Sequence, residues 1–452
     1  MMALMATEAL KARQTGSAES SGGFGVRWVL IFWLFLLSAV AFLDRVNISI
    51  AGGALASTYR LTPVQLGWVF SAFLAGYALF QTPGGRLADW LGPRRVLAAG
   101  VVWWGVFTAL TASVPSGISG ALLVLVGIRF LLGAGEAVVY PASNQFVARW
   151  IPREERGIAN GWIFAGVGAG AGLSPPLVSY LMFHHGWRSS FWVSAGVGLI
   201  AGWAWFILAR DRPEEHWRVS AQELEFIRQG TSLPAGKSEP LVRWSSILKS
   251  RDVLAMTFSY FSFGYVAWIF FSWFYLYLAQ VRNLNLKASA FYAMLPFLAM
   301  AACCPLGGWL SDRLTRSYNA RLGRCYLAAA VITLAGIFLV LGAETQGARL
   351  ASIVLAGGAG ALYLAQSSFW SVSAGLAGSS SGSVSGFMNM GAQIGGWLTS
   401  WLTPVIAARL GWKASFLTAA GLSLLGAIAW LLVNPDRTLE SGSPHQPTGR
   451  AA

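Results

Sequence analysis

Charge is what this chain of 452 residues has least of: Asp, Glu, Lys and Arg together make 11% of it, against about 25% in soluble domains. Because 13% of the residues are aromatic, a disordered chain, which is charge-rich and poor in aromatics, is excluded. Acidic groups are the scarcer ions, 18 against 32 Lys and Arg, for a net charge of +14. A nucleic-acid footprint would form a patch on a soluble face. Here the positive residues punctuate apolar runs, so no nucleic-acid partner is expected. Cysteine is nearly missing: Cys303, Cys304 and Cys325 have neither zinc-ligand nor disulfide-framework spacing. The four histidines, His184, His185, His216 and His445, read as ordinary solvated residues. There is no Walker lysine, and the glycine-rich runs 166–172 and 357–360 follow no strand. They read as close-packing helix faces, not phosphate loops. No metal, no organic cofactor and no enzymatic activity is expected, and residues 1–25 lack the apolar core of a cleaved signal.

What is abundant is apolar: 55% of residues are hydrophobic. A bilayer-crossing helix needs about 20 mostly apolar residues. Twelve such segments lie near 28–50, 64–84, 94–114, 118–148, 157–182, 187–209, 252–279, 288–311, 323–343, 348–370, 383–408 and 412–433. The expectation is an all-α membrane protein with twelve transmembrane helices in two pseudo-symmetric six-helix bundles. Its parts are an N-terminal tail (1–27), a first bundle (28–209), a central linker (210–251), a second bundle (252–433) and a C-terminal tail (434–452). With both ends on one side, that side collects 23 of the Lys and Arg residues and the other side 7. The tails and linker are therefore expected in the cytoplasm, with the bundle in the inner (plasma) membrane.

An internal repeat supports two equivalent halves. Gly85, Leu87 and Asp89 recur as Gly308, Leu310 and Asp312, at a constant offset of 223 residues. Parallel halves of this kind place a binding site between them near mid-membrane. Gly85, Asp89, Arg94, Arg95, Asp312 and Arg313 form a candidate conformational latch. The glycine admits close helix approach, while Asp accepts from a neighbouring helix N-terminus and pairs with Arg. A plain polar turn is the competing reading.

Four ions fall inside the predicted spans: Asp44, Arg45, Arg129 and Glu136. Each costs about 2.5–3.5 kcal/mol at mid-bilayer, so each should face a cavity or a partner. Arg129 and Glu136 are two turns apart on one helix face, separated by about 10.5 Å of rise, with Gly133 between them and Tyr140 a turn beyond. Asp44 and Arg45 point about 100° apart. Arg45 is the first choice for a substrate carboxylate, since guanidinium offers a planar two-point fork and stays protonated. Asp44 and Arg129 are a candidate cross-helix pair, with Arg129 also a candidate substrate contact. Asp44 and Glu136 are candidate proton carriers, the proton being the expected coupling ion. A static network tying helix 1 to helix 4 is the alternative. Tyr77, Asn389 and Gln393 are further candidate substrate contacts. Gln81, Tyr265, Trp268, Gln366 and Trp370 are weaker ones, each also readable as packing or as an interface anchor.

These residues carry a resemblance. The Gly85–Arg95 stretch resembles the signature loop of the major facilitator superfamily, although Trp90 stands where that loop usually has a basic residue. Asp44-Arg45-Val-Asn47-Ile-Ser49, Arg129–Gly135-Glu136 running into Tyr140-Pro141-Ala142, Trp150–Gly157, and Gly386-Phe-Met-Asn389-Met-Gly391 resemble the anion:cation symporter family. The resemblance implies import of a small organic anion, such as a sugar acid or another carboxylate, by proton symport with alternating access. An anion exchanger, or an exporter of amphiphilic compounds, on the same fold is the alternative. The expected partners are that anion and the bilayer, and the expected state is a monomer.

Overall fold

The computed structural model describes residues 25–231, 241–274, 277–284 and 286–439. His445 and most of both predicted tails lie outside them. Among the described residues every regular element is helical. The helices are α1 (Val26–Tyr59), α2 (Pro63–Leu91), α3 (Pro93–Ser113), α4 (Ala121–Glu136), α5 (Val139–Trp150), α6 (Arg156–His185) and α7 (Trp187–Leu208). Two short linker helices follow, α8 (Ala221–Gly230) and α9 (Trp244–Lys249). The second set is α10 (Arg251–Ser272), α11 (Leu286–Ser317), α12 (Leu327–Glu344), α13 (Ala348–Leu364), α14 (Gln366–Ala377), α15 (Ser381–Leu410) and α16 (Trp412–Leu431).

Ten stretches are long and apolar enough to cross a membrane. The stretch Ala348–Leu410 holds two crossings, α13 with α14 and then α15, and α2 supplies another despite its lower hydropathy. The chain is thus a multi-pass, twelve-helix membrane protein. Its surface suits the bilayer: Phe183, Leu123 and Trp203 stand exposed on helix flanks, where water would penalise them and lipid does not.

Turns between helices are made by residues whose backbone allows them. Gly92 (φ +90°) ends α2, and Pro93 opens α3. Proline suits a first helical position because its missing N–H would be unpaired there anyway. A second repeat also emerges: Gly186-Trp187 and Gly411-Trp412, each glycine with φ near +80° (78° and 85°), open α7 and α16. The packing repeats too. The pairs α1–α6, α2–α4 and α3–α7 correspond to α10–α15, α11–α13 and α12–α16. Across the halves, α2 packs on α15 and α11 on α6. α2 and α11, equivalent helices of the two halves, carry internal prolines, Pro83 in α2 and Pro296 and Pro305 in α11.

Candidate functional site

A cavity of about 530 Å³ lies between the two halves. α1, α2, α5 and α6 line one side, and α10, α11, α13, α14 and α15 the other. Toward one end it is walled by Gly172, Pro175 and Pro176 of α6 and by Ala293 and Met294 of α11. At its base, the Tyr140 ring stacks on Phe164 (4.9 Å between centroids), and Phe164 meets Trp370 (5.0 Å). Burial of these rings across α5, α6 and α14 contributes apolar stabilisation and closes the chamber below.

Among the described residues, Arg45 is the one charged residue on the cavity wall. Its Nε donates to Glu136 Oε1 at 2.5 Å, with the glutamate side chain fully buried. The guanidinium carbon lies 4.1 Å from the centre of the Tyr77 ring, 4.6 Å from Phe42 and 5.4 Å from Phe73. These faces are electron-rich and hold the cation in place of water. Yet Arg45 Nη2 and Glu136 Oε2 are buried without hydrogen-bond partners. Each half of the pair keeps one bond unspent.

The structure thus pairs Arg45, not Arg129, across the helices. Asp44 points to α3 and accepts from Thr108 Oγ1 at 2.7 Å, leaving Oδ1 unpaired. Arg129 is within electrostatic reach of Asp44, but the two make no hydrogen bond or ion pair among the described residues. Its guanidinium sits 4.9 Å from the Phe73 ring, away from the cavity wall. The rotation of α1 decides this: of two neighbours about 100° apart, the residue facing α4 is Arg45. Gly133 serves helix approach, since a Cβ there would strike the Phe73 carbonyl of α2.

Tyr77, Asn389 and Gln393 line the cavity, as do Trp268 and Gln366, whereas Tyr265 and Trp370 do not. Asn389 Nδ2 is already committed across the halves, donating to Gln81 Oε1 at 2.9 Å. Sequence reasoning missed Tyr260, a buried wall residue whose hydroxyl accepts from Gln366 Nε2 (2.8 Å) and Trp370 Nε1 (3.0 Å). Its signal was available: Tyr260 stands five residues before Tyr265 in the same span, on a different face of the helix.

Two carboxylates close the other end. Asp89 accepts from the backbone N–H of Gly382 (2.8 Å) and Ser383 (2.7 Å), and from Ser383 Oγ (2.5 Å). Asp312 accepts from the backbone N–H of Gly157 (2.9 Å) and Ile158 (2.6 Å), and from Arg324 Nη2 (2.5 Å). Each Asp therefore occupies the first turn of a helix from the opposite half, α15 or α6, where unpaired N–H groups and the helix dipole favour an anion. Gly85 and Gly308 permit the approach, because a Cβ on either would strike the facing carbonyl of Gly382 or Gly157.

The three arginines expected here do otherwise. Arg94 lies past the Gly92 turn, donating its backbone N–H to Asp211 and Nε to Phe206 O (both 2.9 Å). Arg95 is exposed, and Arg313, one position round the helix from Asp312, sits over the Trp309 ring. His216 departs from expectation as well. It is buried edge-on to Trp150, with Nε2 3.0 Å from Leu208 O, and burial holds its pKa below the ordinary value.

Comparison with known proteins fits this architecture. The probable sulfoacetate transporter of Cupriavidus necator is 35% identical over 423 residues, spanning 92% of this chain and 95% of that protein. The probable galactarate/D-glucarate transporter of Bacillus subtilis is 31% identical over 300 residues, 64% of this chain and 66% of that protein. Among solved structures, the proton:xylose symporter XylE superposes with a TM-score of 0.71 at 14% identity, covering 91% of this chain and 98% of that one. The family model for the Major Facilitator Superfamily matches residues 34–399. With a twelve-helix fold, a chamber between its halves and gates at one end, the chain belongs to the Major Facilitator Superfamily and is a transporter, not an enzyme.

Proposed function

We propose that the protein imports a small organic anion together with protons, by alternating access, across the inner membrane with both termini in the cytoplasm. The observation that carries this reading is the Arg45–Glu136 pair, in which the one wall cation is held by a buried carboxylate. An entering carboxylate competes with Glu136 for the guanidinium fork. Once displaced, Glu136 is a buried charge without a partner, a state costing several kcal/mol, and taking up a proton relieves it. Substrate and proton are thereby loaded together. Energetics favour this arrangement, since carrying one negative charge inward against the membrane potential costs about 2.3 kcal/mol per 100 mV and a proton cancels it.

With the latches on the cytoplasmic side, the structure corresponds to a carrier closed to the cytoplasm. Asp44, hydrogen-bonded to Thr108 and near Arg129, is the second proton-carrying candidate, reaching the chamber through the adjacent Arg45. Each half supplies one wall, so one chain makes a complete site and a monomer suffices.

The test is uptake of labelled organic acids into vesicles holding the purified carrier. An inward proton gradient is expected to drive accumulation. Arg45→Gln should abolish it, while Glu136→Gln should retain counterflow but lose gradient-driven accumulation. Uptake that ignores the gradient and needs internal substrate would replace symport with exchange.

A further inference from the structure

The chamber's walls narrow the substrate class, given that it takes an anion as proposed above. Two properties decide it: how many charges the walls neutralise, and how many hydrogen bonds they have left to give. Among the described residues there is one wall cation, Arg45. A second carboxylate on the same ligand would be buried against Phe164, Phe263, Phe271 and Phe297 with no counter-ion. An unpaired buried charge is costly by several kcal/mol.

Some wall polar groups are already spent on the protein: Tyr140 shares a hydrogen bond with Ser38 (2.9 Å), and Asn389 donates to Gln81.

One neutral cluster on the second half carries a surplus of donors. Trp370 Nε1 and Gln366 Nε2 both meet the Tyr260 hydroxyl oxygen. Counting hydrogens, the trio of Tyr, Gln and Trp side chains holds four and makes two bonds among its members. Turning the Gln366 amide over changes which atom is free but not the surplus of donors. Gln366 and Tyr260 lie on the cavity wall, and Gln366 Oε1 is buried without a partner. The second half of the molecule therefore presents a place for an uncharged oxygen acceptor. The space between it and Arg45 is bordered by rings: Phe42 is 6.3 Å from Phe271, which is 4.9 Å from Phe297.

We infer that the substrate is a monoanionic acid with an aromatic or similarly flat apolar body and an uncharged oxygen at its far end, and not a diacid. The carboxylate takes the Arg45 fork, the ring lies among the phenylalanines, and an uncharged oxygen far from the carboxylate meets the Tyr260–Gln366 donors.

The experiment is binding to the purified full chain in detergent or nanodiscs, read by calorimetry and by thermal shift. The probes are 4-hydroxybenzoate, phenylacetate, galactarate, sulfoacetate and the neutral benzamide. Aryl monoacids are expected to bind at least roughly tenfold more tightly than galactarate, about 1.4 kcal/mol. Phe271→Ala should weaken the aryl acids several-fold more than it weakens sulfoacetate. Tyr260→Phe should weaken 4-hydroxybenzoate while sparing phenylacetate, a split that general misfolding would not produce. Galactarate or sulfoacetate binding more tightly than both aryl acids, or none of the five binding, overturns this inference and leaves the anion-carrier reading standing. Benzamide matching the acids, with Arg45→Gln changing neither, overturns the anion reading itself.

Discussion

The two gates are built to one plan and finished differently. In both, an aspartate from one half holds the second and third N–H groups of a helix from the other half. The Asp89 gate adds a hydroxyl, Ser383; the Asp312 gate adds a guanidinium, Arg324. Arg324 is itself buried and also donates to Ser311 Oγ and Arg153 O, both at 2.9 Å. The shared part is thus the carboxylate on a helix N-terminus, and the ion pair is an addition on one side. Backbone donors with one hydroxyl, and Arg149 at electrostatic range, hold the Asp89 carboxylate without a contact ion pair.

That difference can be broken in order of size. Asp312→Asn strands Arg324 as a buried unpaired cation, with an expected loss of about 3–5 kcal/mol, read as a large drop in Tm of the purified carrier. Adding Arg324→Gln to Asp312→Asn should return part of that loss, and the double-mutant coupling should fall in the range of about 1–3 kcal/mol. Asp89→Asn breaks no contact ion pair and keeps one acceptor oxygen, and Arg149, which lies in the field of both Asp89 and Asp211, keeps Asp211, so the expected cost is smaller, about 1–2 kcal/mol. It should raise thiol labelling of a cysteine placed at Ser381 more than it lowers Tm. Ser383→Ala removes one of three donors and should cost about 1 kcal/mol or less. Equal Tm losses for Asp89→Asn and Asp312→Asn would remove the asymmetry.

The spans and the gates were legible in the sequence for different reasons. Twelve apolar runs follow from bilayer thickness, a constraint each segment meets alone. The Gly–Leu–Asp repeat was legible because both copies need the same glycine for backbone contact and the same acid for a helix end. Cation partners were not legible. Arg324 reaches Asp312 from the next helix through a π-helical turn, Arg321–Tyr326, that no periodicity announces. Likewise, which of Asp44 and Arg45 meets α4 depends on how α1 is rotated against α6, a tertiary fact. The Gly-Trp repeat at 186 and 411 lies at an offset of 225, two residues longer, and shows that the later helices of each half correspond as well.

Pro83 and Pro305 have a mechanical consequence. On α2, Tyr77 borders the chamber and Asp89 sits on the gate; on α11, Met300 and Asp312 do the same. In each rod the proline falls between these two stations, deleting one backbone hydrogen bond and relaxing the stiffness there. Each rod is therefore jointed: under the alternating access proposed above, its lower arm would swing free of the opposing helix while its upper arm keeps its place on the chamber wall.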